Sequence, residues 1–273
     1  MLVPWIGTVP AQETPVREIT QIAGDVYRFR NNFHYSVFMV TPEGVIVTDP
    51  INADTARWLK GEIATRFGLP VRYLVYSHDH ADHSSGGEVF ADTALVVAHE
   101  NAKVQIVGEN RPTAVPQITF SDRMTIALGG KTVELVYLGL NHSDNLIVMR
   151  FPAERIVYAV DIVSRDTLPY RDFPNVYVDG LVESLTRLQT MDFDILAPGH
   201  GELGTVADVA AYRRYVEELR AEVLGHMRAG RTLEEIKQTV TMDAYRDWGR
   251  YDQWRELNVQ GMYRHLQLYR RPN

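Results

Sequence analysis

Cysteine is absent from the 273-residue sequence. Its absence excludes disulfide bonds, thiolate zinc sites, iron–sulfur clusters and a cysteine nucleophile. Long apolar runs are also missing, since none approaches the roughly 18 residues that cross a bilayer. Basic residues are in the minority, with 28 Lys and Arg against 35 Asp and Glu, so the net charge is −7. Because a surface of that sign repels phosphate groups, we expect a small-molecule substrate as the partner, and neither a nucleic acid nor a membrane.

The first twelve residues, MLVPWIGTVPAQ, lack the basic residues with which a secretory signal begins. The same segment is compatible with the remnant of a trimmed leader. A chain without cysteine fits an oxidising or a reducing compartment equally well. We therefore favour a soluble cytoplasmic protein and keep a processed periplasmic form as the alternative.

Strand and helix patterns divide the sequence into two regions. Short runs rich in Val, Ile and Tyr fill residues 24–160 and predict strands, including one at Arg72–Ser77. Apolar residues at spacings of three and four predict a helix at Ala53–Phe67. Three late helices are predicted: one begins after Thr205, one lies at Thr232–Val240 and one at Gln253–Tyr269. No linker rich in Pro, Gly or Ser separates the two regions, so we expect a single α/β domain.

A dense group of histidine and aspartate follows the predicted strand Arg72–Ser77, in the run His78-Asp79-His80-Ala81-Asp82-His83. A loop at the carboxyl end of a strand can turn several of these side chains toward one point. His78 and His80 can share one metal, and Asp82 and His83 can serve a second. Imidazole and carboxylate are ligands suited to Zn, Fe or Mn. A solvated loop is the alternative, and so many potential ligands in six residues favour a metal site.

Three more candidate ligands lie downstream, each directly after an apolar strand. They are His142, Asp161 and His200. Functional side chains held on loops by a rigid scaffold are typical of active sites. Each of these residues alone could be an ordinary turn residue, but together they complete two coordination shells.

These motif pieces, in this order, resemble the metallo-β-lactamase superfamily over roughly residues 20–205. The resemblance implies a four-layer αββα sandwich over about residues 20–205 with a helical C-terminal segment at 206–273, in one domain spanning 1–273. It also implies a dinuclear site at one edge of the sandwich. By resemblance, the first metal binds His78, His80 and His142, the second binds Asp82, His83 and His200, and Asp161 bridges the two.

The resemblance implies two divalent metal ions, for which Zn²⁺ is preferred and Fe or Mn are alternatives. Two carboxylates among the ligands offset half of the +4 charge, which leaves the pair able to bind hydroxide and an anionic substrate. Such a pair acidifies a bound water, and the resulting metal-bound hydroxide attacks a carbonyl at neutral pH. Asp82 is the candidate catalytic residue that orients this nucleophile and later transfers a proton.

The substrate stays open between a β-lactam, a lactone and a thioester. Asp161 stands at the position where true β-lactamases of the superfamily tend to have cysteine or serine. Glyoxalase II-like thioesterases, lactonases and phosphodiesterases of the superfamily have an aspartate at this position, as this sequence does. The alternatives are a phosphodiesterase or nuclease of the same fold, and a glyoxalase II-like thioesterase with only promiscuous β-lactamase activity. A redox member of the superfamily and a metal-binding protein without enzymatic activity are less favoured.

Four residues are candidate substrate contacts. Arg165 and Ser164 could hold a substrate carboxylate, and Tyr170 could donate a hydrogen bond to a developing oxyanion. A solvated arginine and a packed tyrosine are the alternatives. His34 lies at a predicted hairpin, where relatives have a loop that flanks the substrate. Aromatic residues of the late helices predict core packing, with a lid or a homodimer surface as the alternative.

Overall fold

The structure is a computed structural model and describes residues 14–268. The strands are β1 (Arg17–Ala23), β2 (Val26–Asn31), β3 (His34–Thr41), β4 (Gly44–Thr48), β5 (Val71–Val75), β6 (Leu95–His99), β7 (Ile118–Phe120), β8 (Arg123–Leu128), β9 (Lys131–Tyr137), β10 (Ile147–Phe151), β11 (Ile156–Ala159) and β12 (Ile195–Pro198). The α-helices are α1 (Ala53–Phe67), α2 (Ala81–Ser84), α3 (Glu100–Gly108), α4 (Val178–Gln189), α5 (Val206–Arg228), α6 (Leu233–Thr239) and α7 (Tyr251–Leu268). Short 3-10 turns lie at Gly87–Phe90 and Asp243–Tyr245. The segment considered as a leader remnant and the predicted helix end Tyr269 lie outside the described residues.

Two sheets form the centre of the fold. One has the strand order β1-β2-β3-β4-β5-β6-β7 and the other has the order β12-β11-β10-β9-β8. Hairpins connect β1 to β4 in antiparallel fashion, and the ladder becomes parallel from β4 to β7. The β11 and β12 pair is also parallel. Parallel neighbours need crossover connections, and α1, α3 and α4 provide helical crossovers on the outer faces.

The alternation of side chains along the strands shows how the layers stack. In β4, Ile46 lies in the apolar core between the two sheets together with Met149 of β10. Its neighbours Val45 and Val47 point to the opposite face, where the side chains of α1 and α3 cover them. On the second sheet, Val148 faces outward into a core formed with α4, α5, α6 and α7. The predicted four-layer αββα sandwich is therefore confirmed.

The predicted elements agree with the structure in position and differ mainly at their ends. The helix at Ala53–Phe67 has the predicted bounds. The strand before the histidine run ends at Val75. The Tyr76 amide still donates to the Val97 carbonyl, whereas the Ser77 amide donates to the Asp49 side chain. Within the histidine run the chain forms one helical turn at Ala81–Ser84. Within residues 14–268, no helix combines the length and the apolar character that crossing a bilayer requires.

The late helices pack on the second sheet through aliphatic and aromatic residues, and the predicted aromatic side chains belong to this core. Tyr245 is buried in this core, and Trp248, Tyr251, Trp254 and Tyr263 pack against it while partly exposed. Burial of such large rings contributes much of the stability of an interface between layers. The C-terminal helical segment is thus part of the folded unit formed by the described residues.

Helix α7 also holds the loop at residues 164–177 in place. Its buried Asn258 donates from Nδ2 to the carbonyl oxygens of Pro169 and Arg171, and its Oδ1 accepts from Tyr215 Oη at 2.7 Å. One turn further on, Gly261 lies against the backbone of Asp172, where a Cβ would come within 2.2 Å of the Asp172 carbonyl oxygen. The loop is therefore fixed to α7 by hydrogen bonds and by close backbone packing.

We expect Gly261→Ala to destabilise the protein by about 1–3 kcal/mol, because the added methyl group cannot fit against the Asp172 backbone. Gly225→Ala in α5 is the matched control, since a Cβ there meets nothing within 4 Å. The control should be neutral or stabilising by up to about 1 kcal/mol, as alanine is the better helix former. Urea unfolding followed by circular dichroism measures both, and equal stability of the two variants would contradict the proposed close packing.

Candidate metal centre

The candidate ligands meet at one edge of the sandwich because each follows the carboxyl end of a strand. The histidine run comes after β5, His142 after β9, Asp161 after β11 and His200 after β12. At this edge the two sheets are joined directly, since the Ile147 amide donates to the Ser77 carbonyl at 2.9 Å. Residues that are far apart in the sequence are thereby brought together.

The first cluster consists of His78, His80, His142 and Asp161. One potential ligand atom from each residue lies within 4.8 Å of the others. His142 Nε2 is 3.0 Å from His80 Nδ1, and His78 Nε2 is 3.6 Å from Asp161 Oδ2. Ligands at about 2.0–2.1 Å from one zinc ion are separated by about 3 to 3.5 Å from each other. The spacing of these atoms therefore suits a shared cation.

The second cluster consists of Asp82, His83, His200 and His34, again with one potential ligand atom each within 4.8 Å of the others. Asp82 Oδ2 lies 3.7 Å from His83 Nε2 and 3.3 Å from His34 Nε2. The sequence analysis expected His34 to form a wall of the substrate site. The structure brings its ring nitrogen directly among the candidate ligands of the second metal.

Asp161 lies between the two clusters. Its Oδ2 atom is 3.6 Å from His142 Nε2 and 3.3 Å from His83 Nε2, and its Oδ1 atom is 3.2 Å from His200 Nε2. The Asp161 backbone has a positive φ of 52°, a left-handed conformation that is uncommon outside glycine. A single carboxylate thus contacts histidines of both clusters.

The donor atoms fit divalent cations. His78 Nε2 and both ring nitrogens of His83 are buried and have no hydrogen-bond partner among residues 14–268. Buried polar atoms without a partner carry a large desolvation cost, which a bound cation would remove. The set contains only imidazole nitrogens and carboxylate oxygens, the ligand types that bind zinc and similar divalent metals.

Two ring orientations are fixed from behind by neighbouring groups. The Phe33 carbonyl accepts a hydrogen bond from His200 Nδ1 at 2.9 Å, so the Nε2 lone pair of His200 faces the cluster. Ser77 Oγ lies 2.9 Å from His78 Nδ1, which leaves Nε2 of that ring facing inward. Outer partners of this kind orient metal-binding histidines and raise their affinity.

Asp49, at the end of β4, was not among the predicted site residues. It is fully buried and accepts hydrogen bonds from the Ser77 amide at 2.7 Å and from Tyr158 Oη at 3.0 Å. Its Oδ2 atom is 3.7 Å from His83 Nδ1. An aspartate directly after an apolar strand was the available signal, because Asp161 occupies the same kind of position after β11.

Asp79 is the carboxylate of the histidine run that lies outside both clusters. It accepts hydrogen bonds from Asn145 Nδ2 at 2.8 Å and from an Arg111 guanidinium nitrogen at 3.1 Å. The Asp79 amide donates in return to Asn145 Oδ1 at 3.0 Å. Asp79 and Asn145 therefore join the histidine run to the segment that carries His142.

Burial sets the protonation of the first cluster. It lowers the pKa of His142 to about 4 and holds that of His78 well below its usual value. Both rings are therefore neutral at pH 7, which is the form that binds metal. A histidine that had to lose a proton first would bind the cation less tightly.

The carboxylates of Asp82 and Asp161 are ionised. Burial by itself raises the pKa of Asp82, but the hydrogen bond from His34 and the charge of His83 outweigh it and bring the pKa to about 2. Burial likewise raises the pKa of Asp161, and the charge of His83 with the hydrogen bond from His200 lowers it well below its usual value. Burial lowers the pKa of His83, whereas Asp161, Asp49 and Asp82 together raise it to about 9.

A cavity of about 790 Å³ opens over the two clusters. Its lining includes the predicted contacts His34, Ser164 and Tyr170. It also includes aromatic side chains at Phe33, Phe173, Tyr212 and Trp254. The wall is therefore largely apolar, while the floor carries the candidate metal ligands.

Arg165, the predicted carboxylate contact, does not line this cavity. Its Nε atom pairs with Asp166 at 3.2 Å, and its guanidinium donates to the Leu203 carbonyl at 3.0 Å. Among the described residues, the only Lys or Arg lining the cavity is Arg250, just before α7. No ion pair engages Arg250 within residues 14–268, and its guanidinium lies 5.6 Å from the ring centre of Trp254. The sequence offered no signal for Arg250, because only the fold brings it to the site.

Comparison with known proteins identifies relatives of this chain. The family model described as Metallo-beta-lactamase superfamily matches residues 30–200, which include every member of the two clusters. The alpha subunit of 2,4-dinitroanisole O-demethylase from Nocardioides sp. (strain JS1661) is 28% identical over 200 residues, covering 71% of this chain and 61% of that subunit. The chain therefore spans less than two thirds of the length of that relative.

Two further relatives carry the lactamase name. The metallo-beta-lactamase type 2 of Elizabethkingia meningoseptica is 25% identical over 189 residues, covering 65% of this chain and 75% of that protein. The solved structure of a metallo-beta-lactamase from Pontibacter korlensis matches with a TM-score of 0.67 at 21% identity, covering 74% of this chain and 99% of the other. This structural similarity shows a shared fold alone.

We expect Asp49→Asn to lower metal affinity by about 10- to 100-fold, because it replaces the carboxyl group 3.7 Å from His83 Nδ1 with an amide of the same shape. Competition with a chromogenic zinc chelator measures this affinity. Asp92→Asn is the control, since that exposed carboxylate pairs with Lys60 and lies outside both clusters. Unchanged affinity in Asp49→Asn would show that the buried carboxylate does not support the site.

Proposed function

The chain belongs to the metallo-β-lactamase superfamily, and we propose that it is a hydrolase that uses two divalent cations to cleave a small carbonyl substrate. The observation that carries the proposal is the pair of His/Asp clusters with Asp161 between them. The proposed ligands are His78, His80 and His142 for the first cation, Asp82, His83 and His200 for the second, and Asp161 for both. Zinc is the preferred metal, with iron and manganese as alternatives.

Two cations in these clusters would lower the pKa of a water molecule toward neutrality and polarise the scissile carbonyl. Asp82 is the proposed catalytic residue. Its side chain is about half exposed to the cavity, at 52%, and its low pKa keeps it ionised near neutral pH. In this state it can accept a hydrogen bond from the attacking water, orient that water, and carry the proton to the leaving group.

The cavity above the clusters suggests a substrate with an apolar body and an anionic group. Phe33 and Trp254 present exposed aromatic surface in its wall, and Tyr170 packs edge-on against Trp254 with ring centres 5.2 Å apart. Arg250 offers a cation that no carboxylate of the described chain neutralises. We therefore assign to Arg250 the carboxylate contact that the sequence analysis gave to Arg165, and keep Ser164 and Tyr170 as polar contacts at the wall.

Among carbonyl substrates, a β-lactam is the first candidate. Two relatives that match this chain over most of its length carry the lactamase name, and β-lactam antibiotics combine an anionic carboxylate with apolar substituents. Lactones and thioesters follow, because their carbonyl chemistry makes the same demands on the clusters. A phosphodiester fits less well, since Arg250 is the only Lys or Arg in the cavity lining among the described residues.

A second candidate is the hydrolysis of an electron-poor aryl ether. It is favoured by the 28% identity to the O-demethylase alpha subunit and by the aromatic wall at Phe33, Tyr170 and Trp254, which suits a planar ring. Release of a coloured nitrophenolate from a nitroaryl methyl ether would reveal this activity directly.

We expect zinc-loaded protein to hydrolyse a chromogenic cephalosporin and His200→Ala to lose at least about 100-fold in rate, because the variant lacks a ligand of the second cation. His226→Ala on α5, outside both clusters, is the control and should keep the wild-type rate. Equal rates in wild type and His200→Ala would refute the proposed centre. Thioester or lactone turnover without cephalosporin turnover would change the substrate and keep the mechanism.

We expect Arg250→Ala to raise KM for an anionic substrate about tenfold while kcat changes little, because the lost ion pair is made in the ground state and the transition state alike. Arg165→Ala is the matched control and should leave KM unchanged, since Arg165 pairs with Asp166 outside the cavity. Steady-state kinetics on the same substrate give both values. The reverse pattern would return the carboxylate contact to Arg165.

A further inference from the structure

His34 lies among the candidate ligands of the second cation, although it comes from a different part of the sequence. It opens β3, directly after the two-residue turn of the β2–β3 hairpin. The superfamily resemblance gives the second cation only Asp82, His83 and His200, with Asp161 shared. We propose that His34 Nε2 is an additional ligand of that cation.

Distances within the second cluster support this role. The ligand atoms of His34, Asp82, His83 and His200 all lie within 4.8 Å of one another. The printed separations are 3.3 Å from His34 Nε2 to Asp82 Oδ2 and 3.7 Å from His83 Nε2 to Asp82 Oδ2. Two ligands of one ion at about 2.0–2.2 Å are about 3 to 4.4 Å apart, so these distances suit a shared cation.

The surrounding backbone holds His34 in position from both sides. The Phe33 carbonyl accepts the hydrogen bond from His200 Nδ1 at 2.9 Å, and the Tyr35 amide donates to the Gly199 carbonyl at 2.8 Å. The residues that flank His34 are thus bound to the loop that carries His200. Because metal sites gain affinity from ligands held in place before binding, this connection favours a ligand role.

The rings around His34 are arranged for a common centre. Its ring meets that of His200 edge-on, with centres 4.8 Å apart, and that of His83 with centres 5.7 Å apart. A histidine that only donated a hydrogen bond to Asp82 would need to reach that carboxylate and nothing else. One ring nitrogen of His34 instead lies within 4.8 Å of the ligand atoms of Asp82, His83 and His200 together.

The alternative role is a positioning one, in which His34 donates a hydrogen bond to Asp82 Oδ2 across the observed 3.3 Å. An asparagine at position 34 distinguishes the two roles, because it can replace one function of the histidine and not the other. The amide of His34→Asn can donate a hydrogen bond, but it is a poor ligand for a zinc-like cation. A positioning role therefore predicts rescue by asparagine, and a ligand role predicts none.

A fifth donor changes the character of the second site. With Asp161 it would offer three imidazoles and two carboxylates, one donor more than the first cluster. Such a set can hold a cation with five or six ligands as well as a tetrahedral one. We expect the second site to tolerate cobalt, manganese and iron more readily than the first.

The test uses the full chain, freed of metal by dialysis against chelator and titrated with Zn²⁺ in a calorimeter. Wild type should bind two equivalents. His34→Ala and His34→Asn should each weaken one equivalent by at least about tenfold and leave the other unchanged. His226→Ala, on α5 and outside both clusters, is the control, and it should keep both affinities. Circular dichroism of the metal-free variants checks that each is folded.

A direct readout comes from nitrogen-15 NMR of ring-labelled histidine in the zinc-loaded protein. The signal that disappears in His34→Asn identifies His34, and its Nε2 should have the chemical shift of a metal-bound nitrogen. The proposal is overturned if that shift is unchanged by zinc, if His34→Ala binds both equivalents as wild type does, or if asparagine restores the affinity.

This inference rests on the proposed metal centre, and the titration separates the two failures. Wild type that binds fewer than two equivalents would overturn the dinuclear function itself. Wild type that binds two equivalents, together with a His34→Ala variant that does the same at equal affinity, would overturn the role of His34 alone.

Discussion

The site depends on one constraint, which is that buried charges and buried lone pairs at the edge of the sandwich must be compensated by groups of opposite charge or by hydrogen bonds. Asp49 is fully buried and the Asp161 side chain is 14% exposed, and His78 and His83 are fully buried beside them. In low dielectric such groups persist only when opposite charge lies close by. The supporting groups, including Ser77, the Phe33 carbonyl and Tyr158, orient these side chains around a space suited to positive charge, which is why the edge is ordered without a packed apolar filling.

The sequence was most informative where several candidate metal ligands lie within a short run of residues. His78 through His83 were recognisable because ligand types at close spacing after a strand have few other uses, and Asp161 followed from the same strand-end logic. Asp49 also follows a strand but was not predicted as a site residue, since one aspartate after a strand is common. The positions of Arg165 and Arg250 could not be predicted, because the direction of a surface arginine depends on partners such as Asp166 and Leu203, and those come from distant parts of the chain.

Part of the cavity wall comes from a different region of the sequence than the candidate ligands on its floor. The candidate ligands all lie within residues 30–200, the region that the superfamily model matches. Arg250 and Trp254 come from the end of the chain beyond that region, and Asn258 and Gly261 of the same segment hold the loop that carries Tyr170. A common centre can thus be combined with a different wall, so that substrate preference changes while the ligands remain the same.

The attachment of ligands to both sheets has a consequence for how the protein reaches its native state. His78 through His83 extend from the first sheet, whereas His142, Asp161 and His200 extend from the second. The centre therefore cannot form on one sheet alone and is complete only when the two sheets have docked, which requires contacts of large sequence separation. A cation bound at that stage would link the two sheets reversibly. It would slow the separation of the docked sheets more than it accelerates their docking.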